Sequence, residues 1–180
     1  RVVAPVTPHD AKGCLVAAIR DDDPVVFIEH RMLHGQRGDV PEALYEVPFG
    51  CARVLAEGDD LTIVGISHMA LEAMRARGLL ADAGINAEVI DPVSLSPLDT
   101  VTIIASARRT GRLLVVDNAW TFCGASAEIV AAAAEQIDGL VVRRLGFAPV
   151  TCPTAKALEG LYYPDPQAIA EAAHTRSEEH

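Results

Sequence analysis

From Leu61 onward, short apolar runs alternate with helical stretches at a nearly constant interval, and this pattern constrains the fold more than any other feature. Leu61-Thr62-Ile63-Val64-Gly65-Ile66, Ala87-Glu88-Val89-Ile90-Asp91, Leu113-Leu114-Val115-Val116 and Leu140-Val141-Val142 read as strands. Continuous apolar runs of that length suit strands covered on both faces. Between them, helices are predicted over His68 to Ala83, from the Ser96–Asp99 start to about Arg109, and from about Ala125 to Gln136. Strand and helix in turn predict an α/β fold, a three-layer, parallel-type sheet with helices on both faces.

The first thirty residues carry the same logic in miniature. Thr7-Pro8-His9-Asp10 is a helix start, with Thr7 as cap, Pro8 at the first helical position and Asp10 in the first turn. Ala11, Leu15, Ala18 and Ile19 repeat at helical spacing and are expected to form the buried stripe. Asp21-Asp22-Asp23-Pro24 ends the helix, and Val25-Val26-Phe27-Ile28 reads as a strand covered on both faces. A parallel strand needs neighbours on both edges, so the chain is expected to be a piece of a larger protein whose preceding part is absent. Residues 30–50, broken by Gly35, Gly38, Pro41, Pro48 and Gly50, read as a linker. The expected division is therefore 1–48 and 49–180.

Helix boundaries follow from turn chemistry. Gly84 is placed to terminate the second helix, Ser96-Pro97-Leu98-Asp99 repeats the Thr7–Asp10 start, and Thr110-Gly111 stops the helix that follows. Asp117 to Gly124 reads as a loop, and Asp165-Pro166 opens a short terminal helix.

Composition excludes several functions. A net charge of −10 with only isolated basic pairs, Arg108-Arg109 and Arg143-Arg144, does not suit a nucleic-acid surface. No apolar run approaches the roughly 20 residues that span a bilayer, so a soluble, cytoplasmic protein is expected. Cys14, Cys51, Cys123 and Cys152 form no C-x-x-C pair, so neither zinc site nor disulfide framework is indicated. The thiols are expected to be free and mostly buried, with Cys123 the one placed for exposure.

Open parallel sheets bind ligands beyond the carboxyl ends of their strands. Here those ends are Gly65 to His68, Asp91 to Ser96 and Asp117 to Gly124, and none holds a G-x-G-x-x-G, P-loop or G-x-S-x-G motif. His68, between a strand and a helix, could carry protons or meet an anion, although a polar residue opening a helix is the simpler reading. His30 and His34, four apart, would share a helix face, but the loop formers around them and the want of a third ligand argue against a metal. Trp120 and Phe122 would line a pocket or interface, or anchor a loop. The Asp21–Pro24 corner joins acidic side chains to the free carbonyls of a helix end, which suits a hard cation or simply a solvated cap.

The ordered series Val2-Val3-Ala4-Pro5, Asp10-Ala11-Lys12-Gly13, Ala18 to Pro24 with Glu29, Val47-Pro48-Phe49-Gly50, Glu57 to Val64, Glu88 to Asp91, Leu95 to Asp99, Gly111-Arg112-Leu113, Glu128-Ile129, Cys152-Pro153-Thr154 and Tyr163-Pro164 resembles the beta subunit of thiamine-diphosphate-dependent 2-oxoacid dehydrogenases. The pyruvate, branched-chain and acetoin enzymes are of this type. The resemblance implies a βαβ remnant of a pyrimidine-binding domain followed by a transketolase C-terminal domain. It implies oxidative decarboxylation of a 2-oxoacid with acyl transfer to lipoamide, with a second beta chain, an alpha chain and a lipoyl acyltransferase core as partners. Thiamine diphosphate and magnesium belong to the full enzyme, and the family's activating Glu and catalytic His fall before Arg1. No catalytic or cofactor-binding residue is therefore assigned here, and the chain alone is expected to be inactive. A structural potassium ion is implied at main-chain oxygens of Ala18, Ile19, Asp21 and Asp23. Where many members have His-Glu, this chain has Asp117-Asn118. A non-catalytic partner-binding module of the same fold is the competing expectation, and a sugar-directed synthase a third.

Overall fold

The computed structural model describes residues 1–174. The chain opens with β1 (Val2–Val3), α1 (Pro8–Arg20) and β2 (Val26–Phe27), followed by a 3-10 turn at Arg31–Leu33. Next come β3 (Arg53–Ala56), β4 (Leu61–Gly65), α2 (His68–Asp82), β5 (Ala87–Asp91), β6 (Ser94–Ser96), α3 (Thr100–Thr110) and β7 (Arg112–Trp120). The chain continues through α4 (Ala125–Ala134), β8 (Val141–Phe147), α5 (Lys156–Tyr162) and α6 (Pro166–His174).

Five strands form the main sheet in the order β3-β5-β4-β7-β8. The last four are mutually parallel, and β3 is an antiparallel edge. Successive side chains on these strands point to opposite faces, so neighbours in sequence enter different cores. Ile63, Val89 and Leu114 join Ala73, Ala76 and Leu80 of α2 and Ile169 of α6. Val64, Ile90 and Val115 join Ile103 and Ala107 of α3 and Ile129 of α4. These are the three layers that the alternation predicts.

A second, three-stranded sheet has the order β2-β1-β6. It pairs β1 in parallel with β2 and antiparallel with β6. A small third core of Cys14, Val47 and Val93 joins it to the rest, with Phe27, Tyr45 and Phe49 packed against it. Residues 30–50 thus include an irregular strap over α1: the Tyr45 hydroxyl donates to the His9 carbonyl at 2.8 Å, and Lys12 Nζ donates to the carbonyls of Glu42 and Ala43.

Several local expectations change. The α1 face that packs inward carries Asp10, Gly13 and Cys14, because the strap lies against Gly13, where a Cβ would sit 2.5 Å from Val47 Cγ2. Leu15 and Ile19 of the expected stripe are exposed. Val26 and Ile28 are exposed as well, so the second strand is not covered on both faces by the described residues. The third helix is capped by Asp99, whose Oδ1 accepts from Thr102 N–H at 3.0 Å. Ser96 instead ends β6, drawn into the small sheet by pairing with Val2. β7 runs on through Trp120, shortening the expected loop, because β8 extends to Phe147 and pairs with it there. Of the thiols only Cys14 is buried, while Cys51 and Cys123 are exposed. Gly84 (φ 79) and Gly111 (φ 68) end α2 and α3 as expected, and Asp165 Oδ1 caps α6 by accepting from Ala168 N–H at 2.8 Å.

Candidate functional site

From β4 the chain crosses to β5 on one side and later returns through α3 to β7 on the other, so β4 and β7 flank the point where the winding reverses. A crevice is expected beyond the carboxyl ends of such strands. A cleft of about 800 Å³ lies there, lined by His68 and Met69 after β4, Asn118 in β7, Glu29, His30 and Met32 from the segment after β2, and Glu159, Tyr163 and Pro164 in or near α5.

The turn from β4 into α2 is tight. Gly65 lies so close to α2 that a Cβ would meet Ala70 N at 2.5 Å. Ser67 takes φ 54, ψ −131 to make the turn, a region in which an L side chain is strained. Its hydroxyl makes no cap bond, and its Oγ is buried without a partner. Asn118 Nδ2, on the adjacent strand end, is likewise buried and unpartnered.

The two histidines meet across this cleft. The rings of His30 and His68 stack at 4.7 Å with planes 10° apart, and His68 Nε2 lies 3.2 Å from Glu72 Oε1 one turn along α2. Glu72 Oε1 also accepts from Arg75 at 2.6 Å. Burial, and then the Arg75 guanidinium, hold the His68 imidazole below its usual range. Burial, followed by His68 and His34, does the same for His30. A lowered imidazole favours its uncharged form, so the approach of His68 Nε2 to Glu72 is not an ion pair at neutral pH. Burial raises the Asp117 carboxyl, against backbone hydrogen bonds from Asn118 and Ser126.

This arrangement can hold a ligand, and Ser67 Oγ hydrogen-bonds to neither imidazole. His68 opens α2 as expected and also stacks on His30. A single 3-10 turn separates His30 from His34, and His30 Nδ1 accepts from Met32 N–H at 3.3 Å. Trp120 and Phe122 are exposed, with Trp120 Nε1 donating to the Tyr162 hydroxyl at 3.3 Å. The Tyr162, Tyr163 and Phe147 rings form an aromatic group beside it. Sequence reasoning did not find this group, since α5 has no cap or periodicity that marks it. The His30–His68 contact joins residues 38 positions apart and leaves no local signal either.

At the acidic corner the side chains turn to a cation already in the chain. Arg1 Nε lies 2.6 Å from Asp21 Oδ2, a second Arg1 nitrogen lies 3.1 Å from Asp23 Oδ2, and Asp23 N–H donates to Asp21 Oδ1 at 2.9 Å. The carbonyls of Ala18 and Ile19 belong to the last turn of α1, and those of Asp21 and Asp23 follow it.

The fold and this switch-point crevice define a transketolase-type α/β domain. Residues 50–169 match the model of the transketolase C-terminal domain, and the chain belongs to that family. Over 176 residues it is 44% identical to the beta subunit of acetoin:2,6-dichlorophenolindophenol oxidoreductase from Cupriavidus necator, covering 96% of this chain and 52% of that protein. It is 48% identical over 132 residues to the pyruvate dehydrogenase E1 component subunit beta of Bacillus subtilis, covering 73% of this chain and 41% of the relative. A solved structure described as a split-gene transketolase, inactive beta4 tetramer, superposes with a TM-score of 0.81 at 26% identity, covering 97% of this chain and 56% of that one. The chain spans about half the length of the curated relatives it matches.

Proposed function

We propose that this chain is the C-terminal half of the beta subunit of a thiamine-diphosphate-dependent 2-oxoacid dehydrogenase. It would support oxidative decarboxylation of a 2-oxoacid and acyl transfer to lipoamide by holding subunits together rather than by supplying reacting groups. The observation that carries this reading is 41% identity sustained over 96% of the chain to a pyruvate dehydrogenase E1 component subunit beta of Arabidopsis thaliana. Its division of labour is a pyrimidine-domain remnant over 1–48 and a transketolase C-terminal domain over 49–180. Partners would be a second beta chain, an alpha chain and the acyltransferase core. Exposed Trp120, Phe122, Leu158 and Leu161 offer the apolar area that such partners cover.

The cofactor does not fit this chain's own residues. Among the described residues no three His, Cys, Asp or Glu side chains converge to hold a metal ion, and neither loop of the crevice is glycine-rich enough to wrap a diphosphate. No step through thiamine diphosphate or magnesium is assigned to it. Potassium fits better. Ala18, Ile19, Asp21 and Asp23 lie in or just after the last turn of α1, at a helix C-terminus where the partial charge is negative. Their acidic side chains are occupied by Arg1, which leaves the carbonyls as donors.

The competing reading is a non-catalytic module that binds a partner chain through the same fold. It draws support from the structural relative's description as an inactive assembly of beta chains. Purified chain mixed with thiamine diphosphate, magnesium and a carboxyl-labelled 2-oxoacid is expected to release no labelled carbon dioxide. Measurable release would overturn the assignment of a supporting role.

A further inference from the structure

Asp91 ends β5 and is fully buried. The register places Arg53 of β3 opposite it, where a guanidinium would ordinarily neutralise the carboxylate. Arg53 instead donates to Oδ1 of Asp10 on α1. Asp10, itself fully buried, also accepts from the Thr7 hydroxyl at 2.7 Å and lies 3.2 Å from His9 Nδ1. Asp91 is left with main-chain neighbours: Oδ1 accepts from Val93 N–H at 2.9 Å, Val6 N–H lies close by, and Oδ2 has no hydrogen-bond partner. One guanidinium thus lies near two buried carboxyl groups, Asp10 on α1 and Asp91 at the end of β5, and bonds only the first. The turn that presents Asp91 is strained, since β-branched Val93 sits at φ 58. Its carbonyl accepts from Ala4 N–H at 2.8 Å, which ties the turn to the small sheet.

We propose that Asp91, Arg53 and Asp10 form a proton-operated latch between α1 and the main sheet. With Asp91 protonated, Arg53 holds α1 through Asp10; when Asp91 ionises, the guanidinium is drawn across the strand pair and α1 loosens. The remaining groups that face the pair are few. Cys14 on α1 is a neutral thiol, raised to about 12 by burial and by both carboxylates. Tyr45 of the strap is kept protonated by burial and then by Asp10. Burial, the largest influence, pushes the Asp91 carboxyl up to about 7; Asp10 adds to the push, while Val93 N–H, Arg53 and Val6 N–H oppose it. A folded-state value above the unfolded one, about 3.9, means that the contribution is whole below pH 4 and is lost as pH rises through 7.

The test is hydrogen exchange on the full 180-residue chain from pH 5.5 to 8.5. Protection over Pro8–Arg20 is followed relative to Leu61–Gly65 and corrected for the intrinsic pH dependence. Relative protection of α1 is expected to fall about tenfold between pH 6 and pH 8 and then to level off. Asp91→Asn should abolish the fall. Protection that stays flat in the wild type, or a slope that survives in Asp91→Asn, overturns the latch. Carboxyl carbon NMR titration of the unaltered chain reads Asp91 without any substitution: a midpoint near 7 supports the proposal, and one near 4 ends it.

Discussion

Ser67 carries the strain of the turn that builds the crevice. At φ 54, ψ −131 its side chain pays a steric penalty, and its Oγ is buried with nothing to bond. Glycine occupies that backbone region freely and removes the orphaned hydroxyl. Ser67→Gly is therefore expected to stabilise the chain by about 1 kcal/mol, a rise in melting temperature of roughly 2–4 °C for a domain of this size. Calorimetry that finds the variant equal to or below the wild type removes the strain argument. At this scale the sequence was readable where chemistry is local. Thr7 and Asp165 bond the backbone three residues on, and Gly84 and Gly111 take positive φ. It was unreadable where a partner is distant: nothing near Asp10 announces Arg53, and nothing near His68 announces His30.

The β4–α2 unit shows how little room an element junction leaves. A Cβ on Gly65 would stand 2.4 Å from Ala70 Cα and 2.5 Å from Ala70 N, both in helix backbone that cannot step aside. Gly65→Ala is expected to cost on the order of 3 kcal/mol, seen as a lower urea midpoint with an unchanged slope. A loss below about 1 kcal/mol would mean that α2 can shift on the sheet. The major strands and helices were legible because their burial on both faces writes continuous apolar runs and 3.6-residue stripes. Edge pieces were not. β3 reads Arg53-Val54-Leu55-Ala56 and β6 only Ser94-Leu95-Ser96, and each exists because a neighbouring strand offers a free edge to pair with. The misjudged face of α1 has the same origin, since apolar spacing cannot say that a strap will cover Gly13 and leave Leu15 and Ile19 in solvent.

At the scale of the whole molecule, a cation held by the end of α1 would act on the global stability of the fold through mass action. If Ala18, Ile19, Asp21 and Asp23 hold potassium, melting in potassium chloride should exceed that in choline chloride of equal ionic strength. The gain is about 2.7 kcal/mol at a hundredfold excess over the dissociation constant. Equal melting in the two salts would remove the ion from the picture. By itself the sequence determined the three-layer α/β architecture, the order of the major strands and helices, and the resemblance to the dehydrogenase beta subunits. These follow from burial and turn chemistry written into neighbouring residues. Only the tertiary structure decided that Ser94–Ser96 joins the small sheet, that Arg53 chooses Asp10 over Asp91, and that His30 stacks on His68. Those contacts depend on which distant surfaces share one volume, and no periodicity along the chain encodes that.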